Sequence, residues 1–324
     1  MISADEVRLA YLLFLGREPE NENVVNNLCQ SVHSIEQLRS EFYKSAEFLK
    51  RMGEIMEMPQ KVAERHPFYL PNIPVEVDCS EEVLESMFSR IAREWVSLGE
   101  ADPYWSVITQ PQYHLDEFES HRQQFFDSGS HISSLFLAAL RRCGINPNFI
   151  ESCLDYGCGV GRVTAHLAKT FPKVIGVDIS QPHLDLAKVF LGSQSISNIE
   201  LIHCDHVRMI HSLPQVDSLL SVITLQHNPP PVIFWLLKNL LDLLKPGGVA
   251  FIQLPTYRNG YLFEIEHYLN TPTPNTLEMH FLPQQFVFRA IEEAECICLE
   301  VREDGMVGHE NLMLSNSFVI QKKS

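Results

Sequence analysis

No apolar run in the 324-residue chain approaches the roughly 20 residues of a membrane-spanning helix, so no membrane insertion is expected. The opening residues, Met1-Ile2-Ser3-Ala4-Asp5-Glu6, lack the basic stretch that begins a signal peptide. Eight Cys are scattered without one Cys-x-x-Cys pair, which argues against a zinc knuckle or a dithiol redox motif. Reduced thiols in a cytoplasmic protein are the expectation. The 14 His include no H-x-x-x-H pair with converging acids, and no metal site is expected. Basic residues are scarce: 25 Lys+Arg stand against 41 Asp+Glu, a net charge of −16. An electrostatic grip on nucleic acid is therefore excluded as the main mode of action. Neither an internal repeat nor a low-complexity tract is present. What remains is 45% hydrophobic and 20% charged, the composition of a core-forming globular protein.

The first 57 residues read as a small helical domain. Ser3-x-x-Glu6 is a capping box, followed by Val7, Ala10, Tyr11 and Phe14 at helical spacing, with Gly16 as C-cap. A short helix is expected around 24–29. Ser34-x-x-Gln37 then opens a third, with Ile35, Leu38, Phe42, Ala46 and Leu49 along it. Residues 58–100 read as a proline-rich linker to about 80 and then a helix from about Glu81 to Leu98, with Val83, Met87, Ile91 and Trp95 on one face. Beyond about 130, short apolar strands near 152–156, 174–178, 199–203, 217–223 and 249–254 alternate with helices. That alternation predicts an α/β, doubly wound, mostly parallel sheet. Two further strands, 297–301 and 317–320, are expected to add an antiparallel edge.

The chemistry-bearing motifs lie on the strand ends. Asp155-Tyr156-Gly157-Cys158-Gly159-Val160-Gly161 runs from the first strand into a helix. Its glycines permit a tight turn and close backbone approach, but the spacing is G-x-G-x-G rather than the dinucleotide G-x-G-x-x-G. Asp155 suits an ammonium group better than a pyrophosphate. Asp178 ends the second strand, where a carboxylate can accept from both hydroxyls of a ribose. Asp205 ends the third and could accept from an adenine amino group. Leu225-Gln226-His227 follows the fourth, and Leu244-Lys245-Pro246-Gly247-Gly248 precedes the fifth.

In this order and on these elements, the motifs resemble the class I S-adenosylmethionine-dependent methyltransferases over residues 130–324. The resemblance implies a seven-stranded Rossmann-like sheet and S-adenosyl-L-methionine as cofactor. It implies that Asp155, Gly157, Cys158, Gly159 and Gly161 sit under the methionine part and that Asp178 and Ile179 hold the ribose side. Asp205 and His206 would flank the adenine, and Gln226 would lie where cofactor and acceptor meet. Cys158 reads as a small filler of the loop. The N-terminal segment Ala10-Tyr11-Leu12-Leu13-Phe14-Leu15-Gly16-Arg17-Glu18-Pro19, with Phe42-Tyr43-Lys44-Ser45-Ala46-Glu47-Phe48, resembles a short bacterial helical domain of unknown function. That domain recurs in surface-associated and polysaccharide-related proteins.

The methyltransferase domain is thus expected over 101–324, with a cap at 101–150 and an insert at 255–282. Glu278-x-His280-x-Leu282-Pro283 nominates His280 as general base, with His227 second. Trp105 from the cap and Tyr257, Tyr261 and Glu278 from the insert are candidate substrate contacts. The expected reaction is methyl transfer to a small molecule or glycan precursor, at oxygen. N-methylation of a small amine and a non-catalytic cofactor-binding scaffold are the rivals. The N-terminal helices are candidates for binding a partner protein or a second copy.

Overall fold

The computed structural model describes residues 2–48, 70–272, 277–308 and 312–324. The chain separates into two compact units, Met1–Leu70 and Pro71–Ser324. In the first unit, α1 (Ala4–Ala10) continues into one wide turn, Tyr11–Leu15, followed by α2 (Glu22–Ser31) and α3 (Ile35–Lys44). Ser3 and Glu6 form the capping box: the Ser3 amide donates to Glu6 Oε2 at 2.7 Å and the Glu6 amide to Ser3 Oγ at 3.3 Å. Val7, Tyr11, Leu15, Val25, Leu38 and Phe42 are buried together, on the helical spacing of their segments. Leu49 and positions 58–69 of the proline-rich stretch lie outside the described residues.

The second unit is built on a seven-stranded sheet of order β3-β2-β1-β4-β5-β7-β6. The strands are β1 (Ser152–Tyr156), β2 (Lys173–Asp178), β3 (Ile199–His203), β4 (Val216–Ser221), β5 (Leu244–Arg258), β6 (Cys296–Glu303) and β7 (Met313–Lys322). The first five are parallel, and β7 pairs antiparallel with both β5 and β6. Val174, Ile175, Val177, Leu219, Leu220, Ala250 and Ile252 are almost wholly buried, as expected for a sheet covered on both faces. The strand order reverses between β1 and β4. A crevice opens there at the carboxyl ends, where Asp155 and Ser221 lie close to their strand ends.

The Lys-Pro-Gly-Gly turn is absorbed into β5. Its register against β4 jumps from Val216↔Leu244 to Ser218↔Val249, so residues 245–248 form a bulge in a strand that already begins at Leu244. That strand also runs on to Arg258, into the first residues of the expected insert.

Helix α4 (Glu81–Ala101) is capped by Ser80 and buries Leu84, Met87, Phe88 and Ile91 in the same core as β1, β2, β4 and β5. Two more helices, α5 (Phe118–Asp127) and α6 (Gly129–Arg142), precede β1. An aromatic cluster of Tyr104, Tyr113, Phe118, Phe125 and Phe126 closes over Val160 of the glycine loop. The cluster packs on the loop through Val160, while the Gly157 and Cys158 amides tie it to the Val177 carbonyl of β2.

Candidate active site

One cavity of about 570 Å³ occupies the crevice. Its floor comes from the glycine loop, the carboxyl ends of β1, β2 and β4, and the 222–228 segment. Ile91 and Trp95 of α4, the 106–110 segment, Ile132, Val163, His183, Leu277, Met279, Met306 and Val307 complete it.

Asp155 is buried, and its Oδ2 accepts from Thr164 Oγ1 at 2.7 Å. Burial pushes its carboxyl up to about 6, against the lowering effect of Thr164. Asp178 receives the Gly159 amide at 2.8 Å on Oδ2 and the Ser180 amide at 2.9 Å on Oδ1. It therefore ties the second strand end to the glycine loop while lining the cavity. Arg162 follows the loop directly. Its Nη1 donates to Ser128 Oγ at 3.0 Å, but its buried Nε has no partner in the structure. An orphaned guanidinium donor in a cavity with two buried carboxylates fits a ligand that carries both a carboxylate and an ammonium group.

Gly157 is the one loop position where φ and contact both demand glycine. Its φ is +81, and a Cβ there would stand 2.1 Å from Thr224 Cγ2. The bare backbone thus admits a side chain from the fourth strand end rather than only a ligand. Gly157→Ala is expected to cost roughly 2–4 kcal/mol of stability by strain and overlap. Chemical denaturation checks this, and Gly157→Ala/Thr224→Ala should recover part of the loss. Gly161 lies away from the cavity: its Cβ would face Ala187 at 3.3 Å, on α7 (Gln181–Ser193), and it serves helix packing. Cys158 lines the cavity, but burial raises its thiol well above the usual range, which removes it as a ready nucleophile.

Ile223 is a β-branched residue at φ 54 on the cavity wall. Its amide donates to Gln253 Oε1 at 2.7 Å, and Gln253 Nε2 donates to Ser315 Oγ at 2.7 Å. These bonds from β5 and β7 hold the strained turn in place. Gln226 lines the cavity beside it, and its carbonyl accepts the His280 amide at 2.7 Å.

The two candidate bases part company here. Along the segment 277–280, alternate residues border the cavity. Leu277 and Met279 line the cavity, whereas Glu278 and His280 do not. His280 Nδ1 meets the Tyr261 hydroxyl at 2.8 Å and Nε2 meets Glu278 Oε2 at 3.3 Å. Both ring nitrogens are thus engaged within the scaffold, and His280 does not reach the cavity. His227 does line it. Its Nδ1 lies 2.8 Å from the Glu278 carbonyl, an acceptor only, so Nδ1 carries the proton. Nε2 is left with a free lone pair, and no hydrogen bond reaches it among the described residues. Burial pushes the ring down to about 4, so it is neutral at physiological pH.

Glu278 is the keystone of this arrangement. Arg90 Nη2 donates to its Oε1 at 2.8 Å, and the Tyr268 hydroxyl to its Oε2 at 3.1 Å. Arg90 Nη1 also donates to the carbonyls of Tyr268 and Thr271, both at 2.8 Å. Burial pushes Glu278 up, but His280 and Arg90 outweigh it and hold the carboxylate below its usual value. Arg90→Met is expected to destabilise the protein by about 3–5 kcal/mol, because it strands a buried carboxylate. Adding Glu278→Gln should restore part of that, as read by thermal and chemical denaturation.

Other expected contacts fall outside the cavity. Trp105 stacks on His114, with ring centroids 5.1 Å apart. The Tyr257 hydroxyl donates to the Pro71 carbonyl at 3.1 Å, and that of Tyr261 is taken by His280. Both tyrosine hydroxyls are thus already engaged by scaffold partners. Asp205 lies with His203 in a separate shallow depression against Ser89, Arg93 and Val96. A different face of α4, carrying Ile91 and Trp95, looks into the cavity. Ile179 borders both spaces, and His206 borders neither. Arg162, Trp95, Met279 and Met306 are among the lining residues that sequence reasoning did not assign to the cavity. For Arg162 the available signal was its position directly after the glycine motif. Among the described residues no group of three potential metal ligands gathers, and no helix is long and apolar enough to cross a membrane.

Comparison with known proteins agrees with this geometry. Residues 153–248 match the model of a methyltransferase domain. Trans-aconitate 2-methyltransferase of Deinococcus radiodurans is 32% identical over 127 residues, 39% of this chain and 44% of that protein. A ubiquinone biosynthesis O-methyltransferase of Coxiella burnetii is 35% identical over 99 residues, 30% of this chain and 41% of that one. The chain thus spans less than half the length of these relatives. In fold, it is similar to magnesium protoporphyrin IX methyltransferase of Synechocystis with bound S-adenosylhomocysteine. The TM-score is 0.50 at 16% identity, over 73% of this chain and all of that one. On its motifs, sheet order and family match, the chain carries a class I S-adenosylmethionine-dependent methyltransferase domain.

Proposed function

We propose that this protein transfers a methyl group from S-adenosylmethionine to a hydroxyl of a small molecule, with His227 as general base. The observation that carries the reading is the His227 ring itself. It lines the cavity with Nδ1 fixed on the Glu278 carbonyl and Nε2 free to accept a proton.

The bound cofactor supplies a methyl group already activated on a sulfonium. Asp155 would accept from its ammonium and Arg162 donate to its carboxylate, while Asp178 would accept from the ribose hydroxyls. Holding the acceptor oxygen in line contributes through proximity. His227 Nε2 then takes the hydroxyl proton as the oxygen is alkylated. A ring pushed down to about 4 is a weak base at rest. It suffices here, because the hydroxyl becomes strongly acidic only as its oxygen gains the methyl group.

The test is methyl transfer from labelled S-adenosylmethionine to matched hydroxyl and amine acceptors, read by mass spectrometry. Methyl ethers from hydroxyl acceptors support the reading, and exclusive N-methylation contradicts it. The Asp155 carboxyl adds a pH dependence. Its value in the free protein is raised to about 6, so it is anionic above that pH and neutral below. Affinity for S-adenosylhomocysteine should be level above pH 6 and weaken as pH falls, by up to about tenfold per unit. Calorimetry at stepped pH checks this, and a level affinity through pH 5 would remove Asp155 as the ammonium partner.

A further inference from the structure

The charges in the cavity are few. The acids are Asp155 and Asp178, and the one guanidinium is Arg162. Burial lowers the pKa of both His183 and His227, so neither ring supplies a standing positive charge. On the methyl-transfer reading, on which this inference rests, the cofactor's ammonium, hydroxyls and carboxylate engage Asp155, Asp178 and Arg162. No cation among the described lining residues is then left for the acceptor. Beside the glycine loop and the uncharged 106–110 and 222–228 segments, the wall includes Ile91, Trp95, Leu277, Met279, Met306 and Val307, contributed by α4, the 277–280 segment and the β6–β7 connection. The adjoining sequences 271–276 and 309–311 contain no Lys or Arg.

From this wall we infer the acceptor class: an uncharged, mainly apolar molecule with a hydroxylated ring, a phenol or a larger relative. An anion entering this space would lose its hydration without gaining a counter-charge, which disfavours polycarboxylates and nucleotide sugars. A flat ring suits the surface on offer. Trp95 contributes an aromatic ring to the lining, and Met279 and Met306 are polarizable thioether residues of the kind that pack well on ring edges. His227 is the lining group with a free acceptor for one hydroxyl's proton, and Thr109, Gln110, Gln226 and Asn228 are uncharged polar residues that also line the cavity.

Calorimetry on the full chain tests the inference. The protein is first titrated with S-adenosylhomocysteine, and failure at that step counts against the methyltransferase reading itself. The loaded protein is then titrated with methyl 4-hydroxybenzoate, with 4-hydroxybenzoate and with UDP-glucose. The neutral ester should bind at least about tenfold tighter than the carboxylate, and UDP-glucose should not bind. Met279→Arg should reverse the ester-to-acid preference while retaining S-adenosylhomocysteine binding. Equal or tighter binding of the carboxylate or the nucleotide sugar would overturn the inference. So would absence of ester binding to the loaded protein, or an unchanged ratio in Met279→Arg.

Discussion

Replacing Asp178 with alanine lowers affinity for S-adenosylhomocysteine by about a hundredfold or more, as read by calorimetry. A carboxylate that accepts from two ribose hydroxyls makes charge-assisted bonds worth about 1.5–3 kcal/mol each, and their combined loss is of that size. The same side chain also receives the amides of Gly159 and Ser180. Alanine leaves both donors without their partner, so the variant also loses an estimated 1–3 kcal/mol of stability. Asp178→Asn retains a side-chain oxygen and should be the milder change in both readouts. An unchanged affinity in a folded Asp178→Ala protein would remove this residue from the cofactor site.

His227→Ala lowers kcat for a hydroxyl acceptor by about 10²–10⁴-fold, the usual contribution of a positioned base. Affinity for S-adenosylhomocysteine should stay near the wild-type value, because the proposed cofactor partners are Asp155, Asp178 and Arg162. That separation identifies a proton-transfer role rather than a collapsed site. His280→Ala should behave differently. It removes a ring that hydrogen-bonds Tyr261 and Glu278, and its main effect should be on stability. A His280→Ala protein of native stability with kcat reduced more than that of His227→Ala would reverse the two assignments.

The contrast between these histidines marks how far the sequence could be read. That Asp155, Asp178 and the Gly157–Gly159 turn gather at one crevice was legible, because motif, strand end and topological switch point coincide there. The parallel sheet and its antiparallel edge were legible from apolar runs alternating with helices. Which parity of 277–280 faces the cavity was not, because it depends on the Arg90–Glu278 pair, whose members are 188 residues apart. Asp205 shows the same limit. It lies two residues past the end of β3 at His203, and the position of α4, which sets the depression it lines, follows from packing of Leu84, Met87, Phe88 and Ile91 in the shared core. Tyr257, Tyr261 and Trp105 were plausible contacts by composition. Their hydroxyls and ring faces were already committed to Pro71, His280 and His114. Met279 and Met306 carry no motif, and only the folded wall reveals them.

Titration of the purified protein with S-adenosylhomocysteine tests the central claim most directly. One saturable site per chain with micromolar affinity is the predicted result. No binding at millimolar ligand, from protein that unfolds cooperatively, would contradict it.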